Sequence, residues 1–306
     1  MLFQTPTFFV FFGVLFALYA ATMRHLRLQN LLLLLASYLF YAWWDLRFLS
    51  LIIVATTIAF VIGPGAKGER IEFAQWRRGM GILVPGALVS FLPSLSSTWP
   101  YLVGCLGLAA ALLVFTRVVN AMPAERRQIT TVVSGVVVNL VLLGVFKYFN
   151  FFADSLVTVA NAAGLQLGYV TTRIVLPIGI SFFTFQKLAY IIDVKRGHIE
   201  PSRDIIKFGS FVAFFPQLVA GPIERAPNLL KQFDEPRRLT LENLQGGAAL
   251  FLWGMFKKVV IADNLSPIAN LAFADPASMT SGELMVGLLA FTFQIFRDFS
   301  GYSDMA

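Results

Sequence analysis

Apolar runs separated by short charged loops recur every 25 to 35 residues along the whole chain. Each run predicts a helix, because about 20 consecutive apolar residues match the hydrocarbon thickness of a bilayer. The first two runs cover residues 8–23 and 31–44, and Tyr38, Tyr41, Trp43 and Trp44 are placed as an interfacial aromatic belt. A turn at Asp45-Leu46-Arg47 leads into residues 48–62, where Gly63-Pro64-Gly65 predicts a helix break. Residues 81–92 and 101–115 read as a hairpin turning through 93–100, and residues 130–146 as a Val-rich span ending at Lys147. Residues 148–163 then read as a separate amphipathic helix lying in the interface. Residues 175–192 predict a span interrupted by Pro177 and Gly179, and 208–219, too short to cross simply, a re-entrant or tilted segment. Residues 246–262 follow, then a loop over 263–281 and a terminal run from Gly282.

Composition turns this pattern into a class. Hydrophobic residues make up 57% and charged residues 13%, against about a quarter charged in soluble domains. The expectation is an all-α polytopic membrane protein with about eight to ten membrane segments, forming a single membrane domain over residues 1–306. Residues 1–23 lack a basic n-region and a small-residue cleavage site, so they read as a span, not a removed leader. Cys105, the single cysteine, sits within an apolar run, which excludes a disulfide framework and a cysteine metal site.

The net charge of +7 comes from basic residues in short loops without an aromatic-interleaved patch, so it predicts topology and no nucleic-acid partner. Alternating spans assign loops 24–28, 66–80, 117–128 and 193–207 to one side, where they hold thirteen Lys and Arg; the opposite loops hold three, Arg47, Lys147 and Arg173. Basic loops stay cytoplasmic, which places the N-terminus outside.

Polar groups at membrane depth are costly unless paired or hydrated, so they are the first candidates for function. Gln294, Asp298, Ser300, Tyr302 and Asp304 follow directly on the apolar run 284–293. In a helix Gln294, Asp298 and Tyr302 share one face, with Gly301 beside them where a backbone or a ligand can approach. Ser181, Thr184, Gln186 and Lys187 lie in the run 175–192, where they either line a polar path or bond to neighbouring helices; Lys187, mid-span, needs a partner or water. Gln217 lies in Phe214-Phe-Pro-Gln-Leu-Val-Ala-Gly-Pro222, a Pro- and Gly-containing break of the kind tolerated at membrane depth only against protein or a cavity; an interfacial loop is the alternative. Lys257 and Lys258 near a span end suit snorkelling to headgroups, or contact with the phosphates of an acyl-CoA. Both histidines, His25 and His198, fall in predicted cytoplasmic loops without a neighbouring nucleophile, which suits headgroup contact better than base catalysis.

Four stretches resemble membrane-bound O-acyltransferases in the same order: Leu32-Leu-Leu-Leu-Ala-Ser-Tyr-Leu-Phe-Tyr-Ala-Trp-Trp44, Leu176-Pro-Ile-Gly-Ile-Ser-Phe-Phe-Thr-Phe-Gln186, Phe214-Phe-Pro-Gln-Leu-Val-Ala-Gly-Pro-Ile223 and Asp298-Phe-Ser-Gly-Tyr-Ser-Asp-Met-Ala306. The alginate O-acetyltransferase branch is the most similar, with the D-alanyl transferases of teichoic acid synthesis as relatives. The resemblance implies an enzyme of the bacterial inner membrane with no bound cofactor and no metal. It would move an acyl group from a cytoplasmic thioester, acetyl-CoA for an acetyltransferase, to an extracytoplasmic polysaccharide or carrier protein. Membrane lipid and extracytoplasmic acetylation proteins are its implied partners. Ser181, Thr184, Gln186, Lys187, Gln217, Gln294, Asp298, Ser300, Tyr302 and Asp304 would line the reaction chamber. Family members continue past the last of these motifs to a span bearing a catalytic histidine, so the resemblance implies a base beyond Ala306 and residues 1–306 inactive alone. Residues 64–128 look longer than the corresponding family region and carry an extra hairpin. Two other classes fit the same pattern, a transporter or channel with broken helices and a non-catalytic scaffold subunit for polysaccharide export.

Overall fold

A computed structural model describes residues 3–91, 98–164, 173–218, 221, 224–237 and 239–306. Thirteen α-helices follow one another among them: α1 (Pro6–Ala21), α2 (Leu26–Ala42), α3 (Leu46–Ala66), α4 (Phe73–Phe91), α5 (Thr98–Asn120), α6 (Ala124–Ala162), α7 (Ile180–Lys195), α8 (Ile205–Ala213), α9 (Phe215–Leu218), α10 (Ala226–Gln232), α11 (Leu241–Met255), α12 (Asp263–Ala274) and α13 (Ser281–Met305). A π-helical segment, Phe256–Ala262, joins α11 to α12 without a break. No strand occurs among the described residues, and the all-α polytopic expectation holds. Phe48–Ala66, Val103–Asn120, Ala124–Ala162 and Leu241–Ala274 are long and apolar enough to cross a membrane, with shorter apolar helical stretches at Pro6–Ala21, Leu26–Ala42 and Ile205–Leu218.

The chain forms two compact units. One contains Leu33–Phe214 and Glu224–Asp234, the other Met1–Leu32, Phe215–Ile223 and Glu235–Ala306.

In the first unit α3 is the central helix, with Ile52, Ile53, Ala59, Phe60 and Val61 almost fully buried. It does not break at Gly63-Pro64-Gly65. Pro64 sits inside its last turns, and the flanking glycines serve packing: a Cβ on Gly63 would lie 2.8 Å from the Tyr190 hydroxyl and one on Gly65 2.7 Å from Thr131 Oγ1. Part of the expected loop 66–80 is helical, since α4 starts at Phe73. Of the turn read at 93–100, residues 93–97 lie outside the described residues. α6 runs 39 residues, about 58 Å at 1.5 Å per residue, so the span and the interfacial helix expected on either side of Lys147 are one helix. With no Gly or Pro between them, a lone lysine on a helix surface does not stop propagation. α7 begins only at Ile180. Gly179, in the left-handed region (φ 75°), is its N-cap, so Pro177 and Gly179 precede the helix instead of interrupting it.

Loops of this unit meet at its two ends. At one end Lys67 binds Glu200 (2.6 Å), whose carboxylate holds the Lys67 ammonium above the usual lysine range, and Arg203 binds Glu69 (2.8 Å). Asn120 pairs with both backbone groups of Ile71 (2.8 Å each). Arg127, buried, donates to the carbonyls of Gly68 (2.8 Å) and Met122 (2.9 Å), acceptors left over at helix ends. At the other end Asn150 pairs with the backbone of Ile174 (2.7 and 3.0 Å), Arg173 binds Asp154 (2.8 Å), and the Tyr41 hydroxyl donates to Ile178 O (3.0 Å).

In the second unit α1 packs through phenylalanines. Phe8 stacks on Phe12 and Phe251 and tilts against Phe3 and Phe215. The expected loop 263–281 is mostly helix α12, a continuation of the π segment that pairs with α13; Gly287 of α13 meets the Ala272 methyl of α12. α13 starts on a capping box in which the Thr280 side chain accepts from Glu283 N and the Glu283 carboxylate accepts from Thr280 N. The segment 208–219 resolves into α8 and α9 on either side of Phe214; Val219 lies outside the described residues.

Candidate functional site

The polar face at the end of α13 meets the π-helical segment within the second unit. Lys257 Nζ donates to Ser300 Oγ (3.0 Å) and to the Asp304 carboxylate. Lys258 Nζ lies 2.7 Å from Asp263 Oδ1 and 2.6 Å from Asp298 Oδ1, and 5.7 Å from the centre of the Tyr302 ring. Both lysines lie in the π-helical segment, whose i→i+5 turn is wider than an α-helical one, and both reach carboxylates of α13. Single π turns are rare and recur at functional sites. The approach of the two helices rests on glycine, since a Cβ on Gly301 would lie 2.8 Å from Gly254 O.

Two ammonium groups therefore face three carboxylates, Asp263, Asp298 and Asp304. The expected contact of Lys257 and Lys258 with headgroups or CoA phosphates gives way to inward pairing, because the carboxylates already neutralise both cations. Asp298 and Asp263 are the open members, their side chains 42% and 45% exposed, while Tyr302 is buried against Phe3 (ring centres 5.8 Å). One turn before Asp298, Gln294 presents an Oε1 with no hydrogen bond among the described residues. Gln217 is buried in α9, and Gly221 sits where a Cβ would be 2.7 Å from Gln217 Cα and 3.1 Å from Ala306 Cβ. The broken segment and the end of α13 are thus neighbours. Val219, Ala220, Pro222 and Ile223 of the same motif lie outside the described residues.

The remaining candidates belong to the first unit. Ser181 stands in the first turn of α7 and Thr184 is buried. Gln186 donates to Phe211 O (2.8 Å), tying α7 to α8. Lys187 is fully buried, its Nζ 4.8 Å from the Phe183 ring and without a hydrogen-bond partner among the described residues.

Comparison with known proteins gives this geometry a context. The chain is 39% identical over its whole length, and over 50% of the relative, to the probable alginate O-acetylase AlgI of Azotobacter vinelandii. It is 38% identical over its whole length, and 48% of the relative, to the protein of the same name from Pseudomonas syringae pv. tomato. Along its whole length this chain resembles the N-terminal part of a membrane-bound O-acyltransferase of the alginate O-acetylase branch. A peptidoglycan O-acetyltransferase of Helicobacter pylori is 33% identical over 56% of this chain and 37% of its own length. The chain spans about half the length of the alginate O-acetylases it matches. No protein-family model and no solved structure matches it.

For this acyltransferase-like chain, sequence reasoning missed two polar groupings. One is the role of Asp263, read as loop, as the second carboxylate on Lys258. The other lies at the end of α7, where Asp193, fully buried, accepts from Arg225 Nη2 (2.6 Å) and lies 3.3 Å from His198 Nδ1. A local clue existed: Asp193-Val-Lys-Arg-Gly-His198 ends α7 with Gly197 at φ 74°, and His198 N donates back to Asp193 O (2.9 Å). That bond is the 6→1 closure of a Schellman motif, and it brings residues 193 and 198 together.

Proposed function

We propose that this chain forms part of an O-acyltransferase that moves an acyl group, acetyl by analogy with its relatives, from a cytoplasmic thioester to an extracytoplasmic polysaccharide such as alginate or to a carrier protein. The single observation that carries the reading is the identity to alginate O-acetylases along the whole chain. In this reading the end of α13, with Gln294, Asp298, Ser300, Tyr302 and Asp304, and the neighbouring Gln217 form a wall of the chamber. Lys257 and Lys258 hold the carboxylates in place. An acceptor hydroxyl loses its proton to a base and attacks the thioester carbonyl, and the thiolate leaves. Excluding bulk water protects the donor from hydrolysis and strengthens every polar contact inside. We do not assign the base to His25 or His198.

The protein sits in the bacterial inner membrane with several passes and its N-terminus outside. Support comes from the thirteen-to-three loop bias and from the meeting of loops 66–72, 120–127 and 200–203 at one end of the first unit. Membrane lipid and extracytoplasmic acetylation proteins are its partners in this proposal. The test is transfer of label from acetyl-CoA in sealed membrane vesicles containing the full-length protein. Covalent label on a polysaccharide or carrier protein on the far side is expected. Uptake of intact donor without covalent transfer would support a transporter instead.

A further inference from the structure

The Asp193, His198 and Arg225 grouping lies outside the α13 site and has a chemistry of its own. Asp193 is at 0% side-chain exposure, whereas His198 and Arg225, at 53% and 58%, keep their outer faces in solvent. Both reach the same carboxylate oxygen, Oδ1, from different segments: His198 from the Schellman turn after α7, Arg225 from the N-cap position of α10. A buried carboxylate that holds a guanidinium and an imidazole leaves both pre-oriented for a second, external acceptor. Arg225 has further guanidinium N–H groups besides the Nη2 bonded to Asp193, and a protonated His198 donates from Nε2 while Nδ1 faces Asp193. Planar forked donors of this kind match the oxygens of a phosphate, and their fixed geometry lowers the ordering cost of binding. Lys195 and Arg196, both exposed in the same turn, add positive charge; Glu224, next to Arg225, is the opposing charge. This end of the unit is the one assigned to the cytoplasm.

We propose that Arg225 and His198, held by Asp193, form a clamp for a phosphate group of the soluble thioester donor. The inference rests on the reading of the chain as part of an acyltransferase with a phosphate-bearing cytoplasmic donor. Asp193 is a positioning residue here, and only Arg225 and His198 touch the ligand.

The experiment is equilibrium binding of CoA to the full-length protein in detergent, with Arg225→Gln and His198→Gln as variants and Arg173→Gln as the control at the opposite end. Each clamp variant is expected to bind CoA about tenfold more weakly, the size of one lost charged hydrogen bond, and Arg173→Gln as tightly as the unaltered protein. Arg225→Gln leaves a buried carboxylate under-compensated and can lower the melting temperature. His198→Gln, half-exposed, keeps the test valid if it does. CoA binding by the unaltered protein that neither variant changes would overturn the clamp and leave the acyltransferase reading intact. No CoA binding by the unaltered protein would overturn both the clamp and the choice of donor. Loss of affinity for phosphatidylglycerol vesicles, with CoA binding unchanged, would reassign the phosphate to lipid headgroups and overturn the proposal as stated.

Discussion

Gly254 of α11 and Gly301 of α13 approach so closely that a Cβ on Gly254 would lie 2.6 Å from the Gly301 carbonyl oxygen. The contact is backbone against backbone, with Met305 and Asp304 also within reach of any added Gly254 side chain. It sets the spacing at which Lys257 and Lys258 reach the α13 carboxylates.

Filling that contact should therefore damage both packing and the ion pairs. Gly254→Val is expected to destabilise the protein by about 1–3 kcal/mol, the usual cost of overpacking, and to lower acyl transfer. Gly246→Val, on the same helix with nothing within 4 Å of its Cβ, should do neither beyond the small effect of a β-branched residue in a helix. Thermal unfolding of the two full-length variants in detergent checks this; equal melting temperatures would contradict it.

A second prediction concerns Lys187. Asn150 near the end of α6 pairs with Ile174 just before α7, while a Cβ on Gly135 nearer its start would lie 2.9 Å from Ile191 Cδ1 near the end of α7. The two helices are antiparallel, and Asn139 of α6 and Lys187 of α7 each stand one turn from the Gly135–Ile191 contact. Asn139 Oδ1 and Lys187 Nζ are both buried without a hydrogen bond among the described residues, an acceptor and a donor at one level. A buried charge with no compensation is strongly unfavourable, so the two groups should be coupled through a shared hydrogen-bonding molecule or a small side-chain adjustment. Asn139→Leu should cost more stability alone than in a Lys187→Met background, by about 1 kcal/mol. A double-mutant cycle on melting temperature measures this, and strict additivity would count against the coupling.

Topology gives a third prediction. With Cys105→Ser as background, a cysteine replacing the exposed Glu125 should react with an impermeant maleimide only in inside-out vesicles. One replacing the exposed Ala163 at the far end of α6 should react only in right-side-out cells or vesicles. The opposite pattern would reverse the orientation.

Which parts of this were readable in the sequence follows from the range of the forces involved. Apolar runs and the α13 polar face depend on residues a few positions apart, and the residue pattern records them directly. The continuity of α6 past Lys147 was not readable, because a charge within an apolar run looks the same whether the helix stops or extends into water. The π turn at Phe256–Ala262 has no residue signature. The inward pairing of Lys257 and Lys258 depends on Asp304 and Asp298, 47 and 40 positions away, as well as on Asp263 five positions on, and Asp193 meets Arg225 across 32. Local patterns therefore favoured snorkelling, which needs no distant partner. Gly63-Pro64-Gly65 misled in the other direction, since glycines that admit a neighbouring helix carry the same letters as glycines that break one.

The central claim, that the polar face of α13 is a wall of an acyl-transfer chamber, is tested most directly by Asp298→Ala in the full-length protein. The readout is acetyl-CoA-dependent labelling of the acceptor in membrane vesicles, with melting temperature measured in parallel. The account predicts a fall in transfer of at least about tenfold, the effect of losing one polar contact worth roughly 1.4 kcal/mol in the transition state, with the protein still folded. A folded Asp298→Ala variant that transfers acyl groups at the unaltered rate would contradict it.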